Sequence, residues 1–100
     1  MFKATVLYSN PENPEAFDRY YAETHLPIAH QIPGLIKLEQ THLLPGPDGS
    51  KPAYHMMAEL YFAGPGELQN AFGSREGQAA TADLANFASG GVTVLVGSVS

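Results

Sequence analysis

Apolar and polar residues alternate from Phe2 to Tyr8. Phe2, Ala4, Val6 and Tyr8 fall on one side and Lys3, Thr5 and Leu7 on the other, the two-residue period of a strand. After a polar turn the period changes. Phe17, Tyr20, Tyr21, Thr24 and Ile28 recur at three-to-four spacing, which predicts a helix. Asn13-Pro14 supplies its start, with a capping side chain followed by a proline that fits the first helical position, and Glu15 suits the dipole. Pro27 lacks an amide hydrogen and disfavours helical geometry at Leu26, so a kink or new turn is expected there and a final stop at Pro33-Gly34.

Leu35 to Leu44 reads as a second strand and Tyr54 to Phe62 as a third, joined by the breaker-dense loop Pro45–Pro52 as a hairpin. In the third strand, Tyr54, Met56, Ala58, Leu60 and Phe62 share one face, and His55, Met57, Glu59 and Tyr61 the other. Gly64-Pro65-Gly66 opens a second helical region with Leu68, Ala71 and Phe72 inward. Gly73 and Gly77 are expected to interrupt it, and Ala79–Phe87 to add another turn or two. Val92–Val99 is a β-branched fourth strand.

The order β-α-β-β-α-β is that of an α+β, ferredoxin-like fold, an antiparallel sheet with helices on one side, formed by a single domain over residues 1–100. Strands three and four carry apolar residues on both faces, and two helices cover only one. A homodimer that packs sheet face against sheet face would bury the other.

Composition narrows the function. The net charge is −5, and the five basic residues are scattered singly, which argues against nucleic acid. No cysteine is present, so disulfides, thiolate metal sites and thiol catalysis are excluded and a reducing cytoplasm fits. No run approaches the ~18 apolar residues of a membrane span, and the N-terminus reads as a strand rather than a signal peptide. His25 and His30 are five residues apart, about 140° round a helix. His42 and His55 lie near opposite ends of the hairpin loop. Spacing along the chain therefore predicts no metal site, and no motif calls for an organic cofactor.

The candidate chemistry lies in Tyr20-Tyr21-Ala22-Glu23-Thr24-His25-Leu26-Pro27. Tyr21 and His25 are four apart and share a helix face, extended by Phe17 before and Ile28 after. A histidine on an aromatic face is either a satisfied core residue or the acid–base group of a pocket.

The chain resembles the EthD family, named for ethyl tert-butyl ether degradation, within the dimeric α+β barrel superfamily. The resemblance runs end to end. It rests on Leu7-Tyr8, on Phe17-Asp18-x-Tyr20-Tyr21-x3-His25-x-Pro27, and on Gly34-Leu35 before strand two. Tyr54 and Phe62 bounding strand three and Asp83-x3-Phe87 before the last strand complete it. It departs where Ala88 follows Phe87 and Gly90-Gly91 precedes strand four, in place of the family's threonine and proline. The resemblance implies a homodimer whose protomers enclose a cavity between helices and sheet for an aromatic or hydrophobic small molecule, without metal or cofactor.

Within that frame His25, Tyr21 and Asp83 are the catalytic candidates. His25 would be the acid or base, and Asp83 would bind it and fix its tautomer. Tyr8, Phe17, Ile28 and Phe87 would contact substrate. Ordinary packing is the alternative for each. Two functions stay open: a cofactor-free monooxygenase, isomerase or cyclase acting on an aromatic or enolisable compound, and a non-catalytic carrier of a hydrophobic molecule.

Overall fold

Tyr8, near the end of strand β1 (Phe2–Ser9), stands opposite Met56 of β3 (Tyr54–Phe62) on one side and Val92 of β4 (Val92–Ser98) on the other, in a computed structural model that describes residues 1–100. β2 (Lys37–His42) pairs with the free edge of β3, so the antiparallel sheet has the order β2-β3-β1-β4. This is the ferredoxin-like α+β arrangement. β2 is shorter than the predicted Leu35–Leu44.

Alternation assigns the faces. Ala4, Tyr8, Met56, Ala58, Leu60 and Phe62 are all buried and point to the helices. The other face is less apolar than expected. An ion pair of Lys3 with Glu59 and a hydrogen bond from the Tyr61 hydroxyl to Glu39 (2.8 Å) cross its middle. Exposed aliphatics are concentrated on β4 instead, at Val94, Leu95 and Val96.

The strict alternation of β3 fails at one position. Tyr8 pairs with Met56 but Ser9 pairs with Tyr54, which leaves His55 as an extra residue. Such a bulge re-aims a side chain. The His55 ring meets Phe17 of α1 edge-on at 5.1 Å, on the helix side rather than with Met57 and Glu59.

Helix α1 (Pro14–Tyr20) starts as read, with the Asn13 side chain accepting from Ala16 N at 3.1 Å. It does not break at Pro27. A π-helical turn, Tyr21–His25, leads directly into α2 (Leu26–Ala29), and Leu26 keeps helical angles (φ −56°, ψ −45°). The longer-range bond from Leu26 N to Tyr21 O shifts the hydrogen-bond register just before the proline, which then sits in a first turn where it is tolerated. Helical structure ends at Ala29, before Pro33-Gly34.

Helices α3 (Pro65–Gly73) and α4 (Arg75–Phe87) are separated at Ser74. Gly77 does not interrupt α4; the helix starts at Arg75, capped by Ser74 Oγ accepting from Gly77 N at 3.0 Å. A Cβ on Gly77 would stand 2.0 Å from the Ala71 carbonyl oxygen, so glycine lets the two helices meet at this angle. No helix is long and apolar enough to cross a membrane.

Candidate functional site

His25 closes the π turn, and α4 brings Asp83 to it from 58 residues away. His25 Nδ1 lies 2.9 Å from Asp83 Oδ2, with both side chains under a tenth exposed. The second carboxylate oxygen, Oδ1, accepts from the Tyr20 hydroxyl at 2.7 Å and from Asn86 Nδ2 at 2.9 Å. Burial alone would push the Asp83 carboxyl up, but hydrogen bonds from Asn86, Tyr20 and His25 together outweigh it and hold it below the usual carboxylate range. Asp83 is thus an anion and only accepts. The shared hydrogen must belong to His25 Nδ1, so in the neutral form of the ring it is Nε2 that carries the lone pair.

Nε2 and the hydroxyls of Tyr8 and Tyr21 find no partner within the chain, yet no polar side-chain atom is sealed away unpaired. These three atoms open instead into a cavity of about 310 Å³ that their residues line. Burial pushes the Tyr21 phenol up to about 12 and the Tyr8 phenol higher, Tyr8 helped by the neighbouring Tyr21 and Asp83. Both are therefore neutral hydrogen-bond donors at physiological pH. The Tyr21 and His25 rings are 5.4 Å apart and those of Tyr8 and Tyr21 5.8 Å.

The remaining lining is almost wholly apolar. Ala29 and Ile32 extend the face of Tyr21 and His25, while Leu38, Ala58 and Leu60 form the sheet floor. α4 contributes Ala80, Thr81 and Leu84. The cavity opens beside β4, where Val94 and Val96 line it and are still 51% and 59% exposed.

Three of the expected contacts lie elsewhere. Phe17 and Phe87 do not line the cavity. They sit behind it, with Phe87 packed against Tyr20 (5.1 Å), Tyr8 (5.7 Å) and His25 (4.7 Å), and both rings edge a separate, shallower surface pocket. Ile28 is also off the wall, because the lining face advances in four-residue steps from Tyr21 to His25 to Ala29. Asp83 touches His25 without reaching the cavity. The sequence reading missed Tyr20 and Asn86 as the groups that hold Asp83. The Asp83-x-x-Asn86 spacing, one helical turn, was the available signal.

The fold and this site define a small ferredoxin-like protein with an apolar cavity that opens beside β4 and a buried His–Asp pair at its polar end. Residues 10–91 match the EthD domain model, and the chain belongs to the EthD family. It is 44% identical over 95 residues, 95% of this chain and 91% of the relative, to an uncharacterized 11.0 kDa protein of the thcB–thcC intergenic region of Rhodococcus erythropolis. The crystal structure of an EthD family protein from Bacillus halodurans C-125 superposes with a TM-score of 0.94 at 34% identity, covering 100% of this chain and 99% of that one. SnoaB, a cofactor-independent oxygenase from Streptomyces nogalater, shares the fold alone: TM-score 0.65 and 9% identity over 98% of this chain and 90% of SnoaB.

Proposed function

We propose that this protein is a cofactor-free acid–base enzyme in which His25 Nε2 removes a proton from a neutral, largely apolar compound. The proton comes from a carbon next to a carbonyl, or from a phenol. The observation that carries the reading is that His25, held at Nδ1 by an anionic Asp83, lines an apolar cavity with its Nε2 unpartnered within the chain; in the neutral ring that nitrogen is the base. As negative charge builds on the substrate oxygen, the neutral hydroxyls of Tyr8 and Tyr21 donate to it. The imidazolium formed on His25 is stabilised by Asp83, as in catalytic triads. A cavity at the lower end of the ~300–1,000 Å³ range suits a mono- or bicyclic compound.

The resulting enolate or phenolate has three simple fates. Reprotonation at another carbon is an isomerisation, attack on a second carbonyl is a cyclisation, and reaction with dioxygen is an oxygenation. The likeness to an oxygenase described as cofactor-independent is compatible with the last.

The almost wholly apolar lining supports a second reading, a carrier that holds a hydrophobic ligand without changing it. We also read the protein as a homodimer joined through the sheet, with the aliphatic residues of the edge strand β4 in the contact, and place it in the cytoplasm on account of its lack of cysteine.

Deuterium exchange separates the two readings without knowledge of the natural substrate. A panel of neutral cyclic 1,3-diketones and naphthols is first screened for binding by NMR. Diketones that bind are then followed for deuterium uptake from D₂O by mass spectrometry. The enzyme reading expects exchange above the buffer rate, reduced about 100- to 10,000-fold in His25→Gln with binding retained. Diketones that bind with exchange no faster than in buffer would refute it and leave the carrier.

A further inference from the structure

A second cluster lies outside the cavity, at the end of the β2–β3 hairpin. Asp18 of α1, His42 of β2 and the bulged His55 of β3 each offer one donor atom, and these atoms all lie within 4.8 Å of one another. His55 Nε2 is 2.7 Å from Asp18 Oδ1, and the rings of His42 and His55 are 6.2 Å apart at 79°. Three features single out this group. The bulge in β3 turns His55 out of the strand's regular alternation and onto the helix side. The three residues come from three different elements and converge. His42 has no carboxylate partner of its own and makes only a 3.5 Å contact with Gln40.

We propose that Asp18, His42 and His55 form a binding site for a divalent first-row transition-metal ion. Two imidazoles and one carboxylate suit Zn²⁺, Cu²⁺ or Ni²⁺, whereas Ca²⁺ and Mg²⁺ take oxygen ligands. In a tetrahedral zinc site, bonds of about 2.0–2.2 Å place neighbouring donors roughly 3.4 Å apart. The Asp18–His55 pair must open by less than about 1 Å and the widest separation must close by somewhat more. Asp18 and His42 are exposed and free to make that adjustment. Water completes the coordination. Three protein ligands with one on each element would tie the C-terminal half of α1 to both hairpin strands. Phe17, next to Asp18, stacks on Tyr21 with centroids 6.2 Å apart, so the ion would steady the helix that carries the cavity's polar end.

The test uses the full chain without a histidine tag, stripped with chelator and dialysed. Zn²⁺ is titrated by calorimetry and its effect on melting is measured in parallel. One saturable equivalent with a Kd of about 1–10 μM and a raised Tm is expected. His42→Ala and Asp18→Asn, both at exposed positions, should each weaken binding at least about tenfold, while His30→Ala, outside the cluster, should leave it unchanged. No saturation by about 1 mM Zn²⁺, or equal affinity in His42→Ala and Asp18→Asn, would overturn the assignment.

Discussion

Asp83 divides its two carboxylate oxygens between His25 and the Tyr20–Asn86 pair, so one buried anion both orients the imidazole and is itself held from two sides. Neither oxygen is left without a hydrogen-bond partner. The arrangement accounts for how a carboxylate under a tenth exposed stays ionised with no lysine or arginine beside it. It also makes the geometry of His25 depend on Tyr20 and Asn86, which do not line the cavity.

Replacing Asp83 by Asn keeps the shape and inverts the hydrogen bonding. The amide NH₂ donates to Nδ1, the ring proton moves to Nε2, and the base is lost. Exchange of a bound diketone should fall by about 10³–10⁴-fold, with binding retained. Loss of a charged, buried hydrogen-bond acceptor should also cost about 1.5–3 kcal/mol, read from urea melts.

Asp83 and the two cavity tyrosines set opposite pH limits. The Asp83 carboxyl is lowered on folding, so its contribution is present above the ordinary carboxylate value of 3.8 and lost as pH falls through the lower folded value. Tyr8 and Tyr21 are raised on folding. Their contribution is full below the ordinary phenol value of 10.0 and is lost as pH rises past it and through the higher folded values, about 12 for Tyr21. Melting temperature followed against pH should fall at both ends. Tyr20→Phe removes one of the bonds that lower Asp83, so the acid limb should move to higher pH. An acid limb unchanged in Tyr20→Phe would contradict the role given to that hydroxyl.

Two glycines four residues apart, one ending α3 and the other in the first turn of α4, should respond oppositely to alanine. Gly77→Ala drives a methyl into the Ala71 carbonyl and should destabilise by about 1–3 kcal/mol, lowering Tm by more than about 5 °C. Gly73 has nothing within 4 Å of its would-be Cβ, and Gly73→Ala should be neutral or gain up to about 1 kcal/mol. Thermal melts of the two variants provide the comparison.

The dimer expectation rests on β4. Leu95 is 54% exposed on the sheet face away from the helices, opposite Thr5. A stable interface of the expected kind buries more than about 1,000 Å². Light scattering should therefore give a dimer mass for the wild type and a monomer mass for Leu95→Asp at micromolar concentration. A monomeric wild type would contradict the reading.

Period and punctuation in the sequence carried most of the architecture. The alternation in β1 and β3, the Asn13-Pro14 start and the β-branched run of β4 are local signals that depend on neighbours a few residues away, and they led to the β-α-β-β-α-β order. The four-residue spacing of Tyr21 and His25 likewise placed two of the cavity's polar groups on one face. What the sequence left open depends on contacts between distant residues. The Tyr20–Asp83–Asn86 clamp joins α1 to α4, so Tyr20 read only as part of an apolar stripe. Phe17 and Phe87 read as cavity walls, but the aromatic cluster around Tyr8 draws them behind it. The bulge at His55 arises from pairing with β1 and overrides the alternation that had grouped this ring with Met57, Glu59 and Tyr61, which brings it to Asp18 and His42. Local propensity fixes the period of an element; only packing between elements decides where that period slips and which side chains then meet.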